Sequence, residues 1–318
     1  MGLSSPRLPA EWEPHERCLV VWPGHETYPE DVVPYAVPGW VAAIEAIARF
    51  EPVVVIAKPG FGLEAELKLG GHAEVVELAL DELWLRDYGP LFVWDGDALV
   101  AVDFGFDVWG ARKRPYDQET ALGRHLAEWL GVKRHVAPLV LEGGALTTDG
   151  TGTLIAVESS IVSERRNPGI GRAEIEGILG RFLGIEHVIW LPHGLVEDDG
   201  KEGHVDNVVR FVAPGRVVCH WVRDERDPNY ARVRANRAVL DRAGFEVVEL
   251  EARPFETNFY LGNGCVIVPT AKPRSRVVAT LKEVFPDSEV VAVDGKNLAR
   301  CGGGVHCITL ELPHAAGH

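Results

Sequence analysis

The chain has 318 residues, of which 46% are apolar and 25% charged, and its net charge is -15. That is the composition of a soluble globular protein with enough length for one large core or two ordinary domains. The acidity argues against a nucleic-acid partner, since most of the surface would repel phosphate. No apolar run is long enough to span a bilayer. The opening MGLSSPRLPAEWEPHE carries no apolar signal region, so a cytoplasmic protein with no membrane partner is expected. There are five cysteines: Cys18, Cys219, Cys265, Cys301 and Cys307. An odd count without a signal peptide argues against a disulfide framework.

Helical periodicity first appears over 38–50 (PGWVAAIEAIARF), followed by the β-branched run PVVVIA (52–57). GFGLEAELKLGG (60–71) lacks the spacing of a dinucleotide-binding loop and reads as a turn. WLRDYGP (84–90) sets Arg86 and Asp87 between an apolar strand and a Gly-Pro turn. LFVWDGDALVAVDF (91–104) alternates around Asp-Gly as a hairpin does. A second helical period covers 117–130, and the run 132–141 then leads to Glu142 in LEGG. ALTTDGTGTLIAVES (145–159) is again hairpin-like, with a helix over 171–183 and a strand over 187–192. GHVDN (203–207) leads into VVRFVAPGRVVCHWV (208–222), two apolar strands around Pro-Gly. Helices over 228–243 and 273–285 are followed by strands at 246–250 and 289–293. The last segment is CGGGVHCITLEL (301–312).

The recurring order is strand, strand, helix, strand, about five times. No long linker or low-complexity stretch divides it, so a single domain over 1–318 is expected. A doubly wound parallel sheet would alternate single strands with helices. Hairpins before each helix favour a ring of five similar units instead.

Four places carry candidate chemistry. If GHVDN is a strand, His204 and Asp206 share one face. Asp87 stands where a strand end meets a turn, a common place for working residues. Trp84 adds a flat face beside it. Glu142 follows a buried run, and the two glycines after it permit close approach of a ligand or another backbone. Cys307 opens an apolar strand behind three glycines and a histidine. A cysteine becomes nucleophilic where a neighbouring imidazole or cation favours its thiolate. Each place also has an inert reading: a polar strand end, a salt-bridged turn, a half-exposed glutamate, a buried thiol. Together they supply one thiol, one imidazole and three carboxylates, a set suited to a planar cation such as guanidinium.

These motifs, in this order, resemble the agmatine deiminase family of the guanidine-modifying (pentein) superfamily. The resemblance runs from PAEWEPHE (9–16) and VVWP (20–23) through WLRDYGP, VDFGFDVWG (102–110), LEGG with its DGTGT turn, and RNPG (166–169). It ends with EGHVDNVVRFVAPG (202–215), NFYLGNGCVIVP (258–269) and GGGVHCITLELP (302–313). It implies a five-bladed α/β propeller of ββαβ units. It also implies Cys307 as nucleophile, His204 as general acid/base, and Asp87, Glu142 and Asp206 as guanidinium-binding carboxylates. Agmatine would become N-carbamoylputrescine and ammonia through a thiouronium on Cys307, with no metal or organic cofactor. The sequence departs from the family at RPFET (253–257), at ITLELP after Cys307, and at the basic segment 107–116 (DVWGARKRPY). These departures fall where the far end of the substrate is expected.

The expected partner is therefore a small cationic guanidine, and a homo-oligomer such as a dimer is left open. Another guanidine, such as arginine, a methylarginine or peptidyl-arginine, remains an alternative. An arginine substrate would need a cation for its carboxylate, a role open to Arg112, Lys113 or Arg114. A metal-dependent amidohydrolase would draw on His193, His204, Asp206 and His306, whose spacing matches no metal motif. A guanidine-binding protein would use the same carboxylates but would not need Cys307.

Overall fold

The five expected helices are found at Val33–Ile47, Asp117–Leu130, Arg172–Leu183, Tyr230–Arg242 and Arg276–Val284. The structure is a computed structural model that describes residues 3–23, 33–80, 83–110, 117–201 and 203–314. The described strands form five small sheets, and these divide between two compact units.

The unit formed by Met1–Ala10 and Asp87–Thr257 holds three of the sheets. Each is built alike. In the first, Leu91–Asp95 pairs antiparallel with Ala98–Gly105, which pairs parallel with Lys133–Val140 beyond the helix Asp117–Leu130. In the second, Leu146–Thr148 and Thr153–Val157 make the hairpin, and His187–Leu191 is the parallel strand. In the third, Val209–Ala213 and Arg216–Trp221 precede Glu246–Glu251. A two-residue turn can reverse a strand, but a parallel neighbour requires a crossover, which the amphipathic helix supplies.

The core follows from the two side-chain periods. Leu91 and Val93, with Val100 and Val102, present one face of their hairpin. Ile175, Ile178, Leu179 and Phe182 recur along one face of their helix and join the same cluster. That helix stops at Gly184, which is left-handed at φ +73. A Cβ there would stand 1.9 Å from the carbonyl oxygen of Pro6, so glycine is required twice over.

The unit formed by Glu11–Arg86 and Asn258–His318 holds the other two sheets. Tyr260–Gly262 and Cys265–Pro269 form a hairpin, with Glu289–Val293 parallel beyond the helix Arg276–Val284. The last sheet draws on both ends of the chain. Thr309–Pro313 pairs antiparallel with His15–Val21, which pairs parallel with Val53–Ala57, and Glu74–Glu77 extends the edge.

Two sequence expectations change. The first helix begins at Val33 and carries Pro38 inside it. The segment 60–71 holds a helix, Gly62–Leu69, and is not merely a turn: Ala65 and Leu69, one turn apart, are buried while the charges between them face solvent.

His220, buried on the strand Arg216–Trp221, is pushed down to about 4 by burial, against the opposing pull of Glu197 and Asp227. An unfolded imidazole takes up its proton near pH 6.5. The neutral ring's contribution to stability is therefore complete above that pH and is lost as pH falls from about 6.5 to about 4, on the order of 3 kcal/mol. Thermal midpoints at pH 7 and pH 5 should differ less in His220→Gln than in the parent. Equal differences would show that His220 does not contribute.

Candidate active site

Asp87, Glu142, His204 and Asp206 all belong to the first unit, and all four are buried. Asp87 lies on the single helical turn Leu85–Tyr88. Glu142 follows the strand Lys133–Val140 in extended conformation and opens the 3-10 turn Gly143–Ala145. His204 is likewise extended and opens the 3-10 turn Val205–Asn207, which holds Asp206. GHVDN is thus not a strand; the strand begins at Val209. Asp198 imposes the turn, since its Oδ2 accepts from the His204 amide at 2.8 Å and from Asn207 Nδ2 at 3.2 Å.

The imidazole lies between two carboxylates. His204 Nδ1 is 3.6 Å from Asp87 Oδ1, and Nε2 is 3.5 Å from Glu142 Oε2. Neither ring nitrogen, and neither of those two oxygens, makes a hydrogen bond among the described residues. Buried polar atoms are normally satisfied, so four adjoining exceptions make this cluster a candidate site for a polar ligand. Gly144 marks its centre. A Cβ on Gly144 would lie 2.7 Å from Asp87 Oδ1, 2.8 Å from His204 Nδ1 and 3.1 Å from Asp206 Oδ2. Gly144 of LEGG therefore serves close packing of the acidic side chains around the imidazole.

Three residues that motif reading passed over complete the cluster. Trp109 Nε1 donates to Asp87 Oδ2 at 2.8 Å. Arg166, fully buried, pairs with Glu142 Oε1 and lies 3.1 Å from Asp107 Oδ1. Arg166 and the pair Asp107 and Trp109 lie in RNPG and VDFGFDVWG, so the blocks were visible but not the partnerships. Arg86 was paired in sequence with Asp87, but its guanidinium goes to Glu311 in the second unit, with Nη1 3.0 Å from Oε1.

Cys307 is in the second unit. It sits in the one-turn helix Val305–Ile308, and the strand expected at this point starts at Thr309. Asn258 sets that turn by accepting the Cys307 amide on Oδ1 at 3.1 Å, while the amide Nδ2 of Asn258 is buried without a hydrogen-bond partner. The triple glycine is explained by space. A Cβ on Gly303 would stand 2.4 Å from the Trp84 ring, and one on Gly304 would stand 2.6 Å from Asn258 Oδ1. Trp84 is therefore a buried wall, packed on Trp40 at 5.8 Å, and does not offer an open face. His306 Nε2 is 3.0 Å from Glu11 Oε1. The other four thiols are held protonated by burial, Cys219 and Cys265 up to about 12, with Cys18 and Cys301 also raised.

Among the described residues, no three His, Cys, Asp or Glu side chains are grouped as metal ligands. His193 is instead bound through its backbone to Asn236. Arg112, Lys113 and Arg114 lie outside the described residues.

The Gly144 contacts yield a direct test. Gly144→Ala should keep the fold, with overpacking costing about 1–3 kcal/mol. It should lower kcat/KM by about a hundredfold or more, because displacement of about 1 Å at a reacting site has that effect. Unchanged turnover in a folded Gly144→Ala protein would remove this cluster from the active site.

The chain is similar to known proteins over nearly its whole length. The family model described as Porphyromonas-type peptidyl-arginine deiminase matches residues 7–313. The agmatine deiminase of Pseudomonas aeruginosa (strain LESB58) is 36% identical, the match covering 96% of this chain and 95% of that protein. The agmatine deiminase of Ectopseudomonas mendocina (strain ymp) is 34% identical, covering 98% and 96%. The solved agmatine deiminase of Enterococcus faecalis shares the mixed α/β fold, with a TM-score of 0.91 at 26% identity, covering 98% of this chain and 97% of that one. The chain belongs to the Porphyromonas-type peptidyl-arginine deiminase family.

Proposed function

We propose that this protein is an agmatine deiminase, hydrolysing the guanidinium of agmatine to N-carbamoylputrescine and ammonia. The observation that carries the proposal is the pair of buried carboxylate oxygens, Asp87 Oδ1 and Glu142 Oε2, unbonded on either side of His204. Carboxylates held in this way accept the N–H fork of a planar guanidinium. The relatives of similar length at 34% and 36% identity, named agmatine deiminase, support the choice of guanidine.

In the proposed reaction, Asp87, Glu142 and Asp206 hold the guanidinium. The Cys307 thiolate adds to its central carbon and forms the C–S bond. His204 gives a proton to one nitrogen, the C–N bond breaks, and ammonia leaves. A thiouronium remains on Cys307. His204 then takes a proton from water as the oxygen adds to the same carbon. The C–S bond breaks, the remaining hydroxyl proton passes to solvent, the thiolate is restored, and the ureido product departs. The sum is agmatine plus water giving N-carbamoylputrescine plus ammonia, so no oxidant or further reactant is required.

Among the described residues no helix is long and apolar enough to cross a membrane. The five cysteines form no disulfide, which suits a reducing compartment and supports a cytoplasmic setting.

Ammonia release measured over agmatine, arginine, methylarginines and short arginine peptides should be greatest for agmatine. A preference for a peptide or for free arginine would move the assignment to another guanidine. Cys307→Ser should release no ammonia, and normal turnover by it would end the covalent mechanism. His204→Ala should also lose ammonia release, since both proton transfers pass through His204, and parent-like turnover by it would remove His204 as the acid/base.

A further inference from the structure

We propose that Arg166 and Trp109, joined through Asp107, form one bracket that positions the two carboxylates Glu142 and Asp87 for a guanidinium. The inference rests on the reading that these carboxylates bind the substrate. It assigns Arg166 and Trp109 as positioning residues, since both act through the carboxylates.

The geometry is the same at both ends of the bracket. Glu142 gives Oε1 to Arg166 and leaves Oε2 facing His204. Asp87 gives Oδ2 to the Trp109 indole N–H and leaves Oδ1 facing His204. In each carboxylate one oxygen is engaged from behind and the other makes no hydrogen bond. A carboxylate tied at one oxygen cannot rotate freely, so the direction of its free oxygen is set before any ligand arrives. Preorganisation of this kind is what makes electrostatic binding strong.

Asp107 is the joint. Its Oδ1 accepts from the Gly110 amide at 2.7 Å and lies 3.1 Å from Arg166 Nε. It thereby closes the turn that carries Trp109. That turn holds Val108 at φ 57 and Trp109 at φ 54. Two successive non-glycine residues in the left-handed region, one of them β-branched, persist only where the surroundings hold them. Here Phe106 packs edge-on against Trp109, with ring centres 5.3 Å apart, and Arg165 Nε donates to the Gly110 carbonyl at 3.2 Å.

The next residue fastens the other side. Asn167 Oδ1 accepts from the Val140 amide at 2.9 Å, and its Nδ2 donates to the carbonyls of Val140 and Ile161. RNPG therefore grips the strand that delivers Glu142 through Asn167, and the Glu142 side chain through Arg166. A planar guanidinium can meet two carboxylates at once, whereas a lysine ammonium is a point charge without that fork.

Because Arg166 is fully buried, its removal by alanine risks the fold. The test therefore uses Trp109→Phe, which deletes the N–H and keeps a ring, and Arg166→Lys, which keeps the charge. Each is measured for steady-state kinetics on agmatine and for thermal midpoint. Binding of guanidinium ion is measured calorimetrically in a Cys307→Ser background. Each variant should raise KM and weaken guanidinium binding by about tenfold to a hundredfold, the loss expected for one charge-assisted hydrogen bond. Trp109→Phe should do so without a matching fall in thermal midpoint. The double variant should lose less than the product of the two single effects, as residues acting as one unit do. Parent-like binding in both variants, or losses that multiply and follow the thermal midpoint, would overturn the bracket. If the parent releases no ammonia from agmatine but binds guanidinium, and the variants bind it less well, the bracket stands and the deiminase assignment fails. If the parent is active and the variants match it, the assignment stands and the bracket fails.

Discussion

Asp87, Asp107, Glu142 and Asp206 are withdrawn from water in one unit of the protein, and burial of that kind is tolerated only where each charge meets a donor. Arg166 meets Glu142 and Asp107, and the Trp109 indole meets Asp87. What these donors leave unmet is as informative as what they satisfy. Asp87 Oδ1 and Glu142 Oε2 remain beside the imidazole without hydrogen bonds. A planar cation entering there would restore hydrogen bonds that folding left unmade. In the proposed reaction, binding energy would therefore arise from an unfinished polar network held by its surroundings. Gly144, with no side chain to intrude, leaves room at its centre.

The fold was legible in the sequence because its regular elements obey simple periods. The five long helices and the strands that follow them were found by apolar spacing alone. Hairpins announced by Asp-Gly and Pro-Gly turned out to be antiparallel pairs. The irregular elements were another matter, and they carry the candidate site residues. Leu85–Tyr88, Val205–Asn207 and Val305–Ile308 are each a single turn, too short for any period to register. Two of them are set by side chains outside the turn, Asp198 for His204 and Asn258 for Cys307. Reading GHVDN as a strand brought His204 and Asp206 to one place for the wrong reason: a tight turn gathers them, not the two-residue alternation of a sheet.

Pairings across the chain were the least legible part. Arg86 and Asp87 are adjacent in sequence and reasonable partners, yet the backbone sends the arginine to Glu311 and the aspartate to Trp109. Arg166 and Glu142 are brought together only by the sheet and helix between them. The cysteines divide along a similar line. Four are buried or half-buried with raised proton affinity, as apolar neighbours suggested for three of them. Cys307 was set apart by its glycines, and the structure gives those glycines a cause: Trp84 and Asn258 occupy the space where side chains would go.

Acidity by itself does not make a guanidinium site. A net charge of -15 draws cations of every kind toward the protein, and screening by salt confines that attraction to short range. An ammonium or a metal ion would answer the charge of a loose acidic pocket just as well. Selection begins when the oxygens cannot rearrange around whichever cation arrives. Fixing Glu142 from one side and Asp87 from the other presents their free oxygens on the two edges of the imidazole. A flat ion with N–H groups in a rigid fork can meet both, whereas a compact ion lacks that fork. The positive-φ turn at Val108 and Trp109 is then intelligible as part of recognition. It is an expensive way to place one N–H, and what it obtains is a carboxylate that points in a single direction.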